Sequence, residues 1–164
     1  MSGFGKFCDD LERMDRKDLD MYMYTNAVRA IEGLKKISDG SERDAIGLLC
    51  GSAMAAASVD GELHYNEYRH INGLLRAAVH SSEDSSFEEV KELIEETVDL
   101  DSCDSDRVRG IYLELADADR EAAMSFIRFL SAMMAIDGDA SWKERGWLEE
   151  VFERDGLGYI PTTP

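Results

Sequence analysis

Apolar residues recur along most of this chain at the three-and-four spacing of an amphipathic helix. No run of β-branched residues has the length and alternation of a strand, so the pattern predicts an all-α fold. Phe4, Phe7, Leu11 and Met14 predict a short helix over residues 1–16, laid on the domain or frayed from it. The first firm helix is expected over about 17–37, with Tyr24, Ala27, Val28, Ile31 and Leu34 on one face, and it stops at Ser38-Asp39-Gly40. A second helix, about 42–59, is small and apolar on nearly every side, which places it centrally. Tyr68, Ile71, Leu74, Leu75 and Ala78 mark a third helix at about 65–80. Ser86 and Glu89 form a capping box for a fourth at about 87–99. Beyond an acidic connector, Asp99–Asp106, a shorter fifth helix carries Val108, Ile111, Tyr112 and Leu115. The sixth, about 118–136, is apolar almost all round in its C-terminal half and again central, and the seventh, about 142–154, buries Trp147, Leu148, Val151 and Phe152.

Two of these helices end alike. A shift of 77 residues lays Ala53–Ile71 on Leu130–Leu148 and superposes Val59-Asp60-Gly61 on Ile136-Asp137-Gly138. The same shift puts Tyr65 on Trp142 and Glu67 on Glu144. Each unit is a core helix, an Asp-Gly turn, and a Glu at the start of an amphipathic helix. Such a doubling predicts two helical hairpins related by a pseudo-twofold around the two apolar helices.

A purely local account of the motif comes first. Gly61 and Gly138 stand where a helix ends and a left-handed residue suits the turn. Asp60 and Asp137 can accept turn amides, and Ser141 with Glu144 is a capping box, worth about 1 kcal/mol per site. The second account is cation binding: Asp60, Glu67, Asp137 and Glu144 would gather hard oxygens for calcium or magnesium. The EF-hand template fails, because Ile71 and Leu148 stand near where its terminal bidentate Glu belongs. The connector Asp99–Asp106 lacks the Gly and final Glu of a calcium loop and reads as a solvated loop capping the fifth helix.

Composition narrows the partners. The chain has 164 residues, within the range of one domain, and its only two prolines, Pro161 and Pro164, leave every earlier helix unbroken. The net charge of −17 disfavours nucleic acid and anionic lipid, and points to cations, basic protein surfaces or a second copy of the chain. Three cysteines without a CxxC pair predict no disulfide framework and a cytoplasmic setting. Met1–Lys6 lacks the apolar run of a signal peptide, and no stretch is long and apolar enough to span a membrane.

The duplicated units at Ser52–Ile71 and Phe129–Leu148 resemble the TerB-like family, that of the tellurite-resistance protein B. The resemblance covers about residues 41–154, and the chain is read as a single domain over 1–164. It implies an all-α cytoplasmic fold of about seven helices, with links to tellurite resistance, chemical stress and phage defence. It also implies protein complexes, often beside membrane-associated partners, and a metal at the acidic positions Asp60, Glu67, Asp137 and Glu144. Departures are Val59 and Ile136 where the family has Ala before Asp-Gly, and His64 where it has Ser. No His-Pro-Asp motif is present, which excludes a J-domain co-chaperone role for this chain.

No catalytic constellation emerges. His64, Glu67 and His70 are spaced by three, not as His-Glu-x-x-His, and there is no phosphate loop, nucleophile elbow or dinucleotide fingerprint. Tyr22, Met23 and Tyr24 read as core and rim rather than a ligand face, and Met133-Met134 as adaptable packing. The sequence therefore predicts a non-enzymatic interaction module, with docking through exposed members of Tyr65, Tyr68, Trp142 and Trp147. The alternative is a divalent-cation-binding regulator using the two Asp-Gly loops.

Overall fold

The computed structural model describes residues 3–38 and 105–135, with separate positions 44, 45, 48, 49, 52, 146 and 149. The described residues form four helices and no strand: α1 (Gly3–Glu12), α2 (Arg16–Ile37), α3 (Ser105–Ala118) and α4 (Arg120–Ala135). Asp44, Ala45, Leu48, Leu49 and Ser52, within the predicted second helix, are helical. So are Gly146 and Glu149, within the predicted seventh. The predicted helices at 65–80 and 87–99, the helix count of seven and the pseudo-twofold layout fall outside the described residues.

The N-terminal helix is laid on the domain. Phe7, Cys8 and Leu11 share one face of α1 and are buried, Phe7 and Leu11 completely. Its final turn tightens as the Met14 N–H donates to the Leu11 carbonyl at 3.1 Å, and Asp15 then opens α2. Asp18 in the first turn and Lys35 and Lys36 in the last suit the α2 dipole. The helix ends at Ile37, where Ser38 donates through its hydroxyl to the Leu34 carbonyl at 2.6 Å and through its N–H to that of Lys35 at 3.3 Å.

The predicted face of α2 holds at Ala27, Ile31 and Leu34, which are buried, but not at Tyr24 and Val28. Tyr24 and Val28 are each 38% exposed, and the core side is Leu19, Met23, Asn26, Ala27, Ala30, Ile31, Gly33 and Leu34. The reason is close approach. A Cβ built on Gly33 would run into the Ala122 Cβ and come within 2.8 Å of Leu115 Cδ1. Gly33 lets the α2 backbone press onto α4 at Ala122, and Tyr24 and Val28 stand at the rim. Asn26 tolerates burial because its amide donates to the Tyr22 carbonyl at 2.8 Å.

As its composition predicts, α4 is central: it touches α1, α2 and α3. Ala122, Ala123, Phe126, Ile127, Phe129, Leu130, Ala132, Met133 and Ala135 are all buried. Its polar interior positions are managed locally, the Ser131 hydroxyl donating to the Ile127 carbonyl at 2.8 Å. The fifth and sixth helices of the sequence pattern are separate, as expected, and they meet at Asp119, with α4 starting at Arg120 rather than 118. The Asp119 N–H closes α3 on the Leu115 carbonyl at 2.7 Å, and its own carbonyl accepts from Ala123 at 3.0 Å to begin α4. No helix among the described residues is long and apolar enough to cross a membrane.

Candidate functional site

Three observations fix how α2 lies on α4. Lys36 near the end of α2 meets Asp119 before α4, Gly33 meets Ala122, and Tyr22 feels the charge of Arg128. The two helices are therefore antiparallel. Along one side of their seam runs an open groove of about 660 Å³. One wall is Val28, Arg29 and Glu32, spaced to share a face of α2. The other is α4: Ala122 and Ser125 are small and sit low, while Glu121, Met124 and Arg128 complete the lining.

Asp119 anchors one end. Its Oδ1 accepts the Ala122 N–H at 3.2 Å, the capping bond of α4, and its Oδ2 accepts from Lys36 Nζ at 2.7 Å. The Lys36 bond and then the Ala122 amide hold this carboxyl below its ordinary pKa. Asp119 thus ties the end of α3, the start of α4 and the last turn of α2, and fixes the seam that forms the groove.

Toward the other end stand Tyr22 and Arg128. The Tyr22 hydroxyl and Arg128 Nε are both shut off from solvent, and neither has a hydrogen-bond partner. Burial pushes the Tyr22 phenol up to about 12, against the opposing pull of the Arg128 cation. At neutral pH the pair therefore presents two donors. Glu32 pairs with Lys35 at 3.6 Å, but among the described residues neither Arg29 nor Arg128 forms an ion pair. In a chain of net charge −17, that is an unusual place for two unmatched cations.

On the outer side of α2, Val28 continues into Tyr24 and Met21, the latter 62% exposed. These three positions are spaced to form one apolar stripe along the helix. Of the consecutive trio, Met23 is core, Tyr22 packs half-buried against the core, and Tyr24 is rim, as expected.

The residues predicted to bind a cation, Asp60, Glu67, Asp137 and Glu144, lie outside the described residues. The same holds for Tyr65, Tyr68, Trp142 and Trp147 of the predicted docking patch, and for His64, His70 and His80. Among the described residues, no group of three or more His, Cys, Asp or Glu side chains is placed to share a metal ion. Arg29, Asp119 and Arg128 were not singled out from sequence. The signal for Arg128 was present: it is the one cation between Glu121 and Ile136, in an otherwise apolar stretch. Compared with known proteins, the chain matches no family model, no curated protein and no solved structure.

Proposed function

We propose that this chain is a non-enzymatic helical interaction module, and that its protein partner docks along the α2–α4 seam. The observation that carries this reading is the open groove running into the exposed stripe Met21, Tyr24 and Val28. A contiguous apolar strip beside a polar groove is the anatomy of a protein-binding surface, an apolar centre with a polar rim. The TerB-like resemblance of the two Asp-Gly units supplies the setting: a cytoplasmic stress-response or defence complex of the tellurite-resistance type, with partners at or near a membrane. A photo-crosslinking residue at Val28, compared with one at the exposed Gly110 on α3, tests the docking surface in cells. The expected result is a discrete adduct from Val28 alone, abolished by Met21→Lys and Tyr24→Lys. Equal adducts from both positions, or an adduct indifferent to those substitutions, would refute it.

A second reading rests on the doubling of Asp-Gly-x5-Glu in the sequence: a divalent-cation-binding regulator holding calcium or magnesium through Asp60, Glu67, Asp137 and Glu144. Calorimetric titration of chelator-stripped protein decides it. Saturable binding that Asp60→Asn/Asp137→Asn removes supports a ligand role, and no heat up to millimolar ion assigns the four carboxylates to turns and caps.

A further inference from the structure

The groove carries a chemical preference that its shape alone does not show. Arg29 and Arg128 face it from opposite helices, without carboxylate partners among the described residues. Arg128 lines the groove, yet its Nε is buried with no acceptor, beside a Tyr22 hydroxyl in the same condition. An unmet buried donor is costly, and more so on a charged group. A guanidinium meets a carboxylate best through two parallel N–H bonds, and the Nε–Nη edge is one of the edges that make them. An arriving carboxylate would therefore draw that edge into the groove and give Nε the acceptor it lacks.

We infer that the α2–α4 groove recognises a single carboxylate, clamped between Arg128 and Arg29, and that an acidic side chain on the docked segment of the protein partner supplies it. This rests on the docking reading above and names the chemistry of that same site. Charge favours a monoanion over phosphate. Glu32 is paired with Lys35 and Asp119 with Lys36, so the lining charges left without an ion pair among the described residues are Arg29, Arg128 and Glu121, an excess of one positive charge that matches a carboxylate rather than a dianion. A lone carboxylate fits the two cations, and Glu121 remains to meet a basic neighbour on the same segment. Shape decides against a free small acid. Small ligands are mostly enclosed by their pockets, whereas this groove is open and passes directly into the strip Met21, Tyr24 and Val28, which would take the segment's apolar side chains.

The test is side-chain N–H NMR of isotopically labelled arginine in the full chain, titrated with N-acetylglutamate methylamide, its glutamine counterpart, and inorganic phosphate. The expected result is a saturable shift of the Arg128 and Arg29 signals with the glutamate probe, about tenfold weaker with the glutamine probe. Arg128→Lys, which keeps the charge but loses the Nε donor, should abolish the Arg29 shift, and Arg13→Gln on the exposed surface should change nothing. Circular dichroism melts confirm that each variant folds. Arg128 shifts no larger than those of Arg13 and Arg16, or tighter binding of phosphate, overturn the inference while leaving the Val28 crosslink to stand or fall alone. Glutamate-specific shifts without any Val28 crosslink overturn the partner as the source of the carboxylate.

Discussion

Replacing Gly33 by alanine tests the contact on which the α2–α4 seam depends. In an open helix, Gly→Ala stabilises by about 1 kcal/mol, because alanine loses less backbone freedom on folding. Here the new methyl would land on the Ala122 Cβ and within 2.8 Å of Leu115 Cδ1. Leu115 can yield by turning its side chain. The Ala122 Cβ has no torsion to turn, so α4 itself must move, and α2 with it. Forcing a methyl into a packed interior costs about 1–3 kcal/mol, with the upper part of that range appropriate where backbones must separate. The propensity gain offsets about one of these, leaving a net loss of about 1–2 kcal/mol. For a chain of this length that lowers Tm by about 2–8 °C. Urea unfolding followed by helical circular dichroism measures it directly. The double variant Gly33→Ala/Ala122→Gly restores the space, and a cycle with the two single variants should give a favourable coupling of about 1 kcal/mol or more. A Gly33→Ala protein as stable as the parent or more so, with no coupling to Ala122, would show that α2 and α4 do not approach as described.

Two further outcomes follow from the seam. Asp119→Ala should cost about 1–2 kcal/mol through loss of the α4 cap, whereas Asp119→Asn keeps an acceptor for Ala122 and should lose only the Lys36 ion pair, about 0–1 kcal/mol at this partly exposed site. Because the folded carboxyl titrates below its unfolded value, that ion-pair stability is present above the ordinary aspartate range and fades as pH falls through the folded pKa. Denaturant titrations of parent and Asp119→Asn should thus converge in acid, and a gap that persists there would remove Lys36 as the cause. Tyr22 should ionise near 12, with its spectrophotometric step absent in Tyr22→Phe. Since the folded phenol holds its proton longer than the unfolded one, the parent should lose stability as pH rises from about 10 toward 12. Tyr22→Phe, freed of an unpartnered hydroxyl, should be equal or more stable at neutral pH, and a clear loss would mean that the hydroxyl has a partner.

The legible parts of the fold are those where bulk carries the signal. The run from Ala122 to Met133 is apolar at all but Ser125, Arg128 and Ser131, and a helix of that kind packs at the centre. Phe7 and Leu11 likewise announce that the first helix is docked. The face of α2 is legible at Ala27, Ile31 and Leu34 and misread at Tyr24 and Val28. A hydropathy pattern weighs Tyr24 and Val28 heavily and Asn26, Ala30 and Gly33 hardly at all. Close packing of two helices rewards a residue that takes no room where the backbones meet, so Gly33 faces the core beside Leu34 while Tyr24 and Val28 become rim. Asp119 was hidden in Asp117-Ala118-Asp119, where either acid could be surface charge. Its capping role shows only once the chain is seen to break there, and its partner Lys36 lies 83 residues away in sequence.

The groove is a consequence of the same economy. Ala30, Gly33 and Ala122 draw the helix axes together, and Ala122 and Ser125 are too small to fill the flank of the seam. Longer neighbours at that flank cannot interdigitate through the gap and stand along its edges instead. Arg29 and Arg128 are such neighbours and line the groove from opposite helices. Ser125 shares the groove lining with two arginines that have no carboxylate partner among the described residues, an arrangement that an incoming carboxylate would complete.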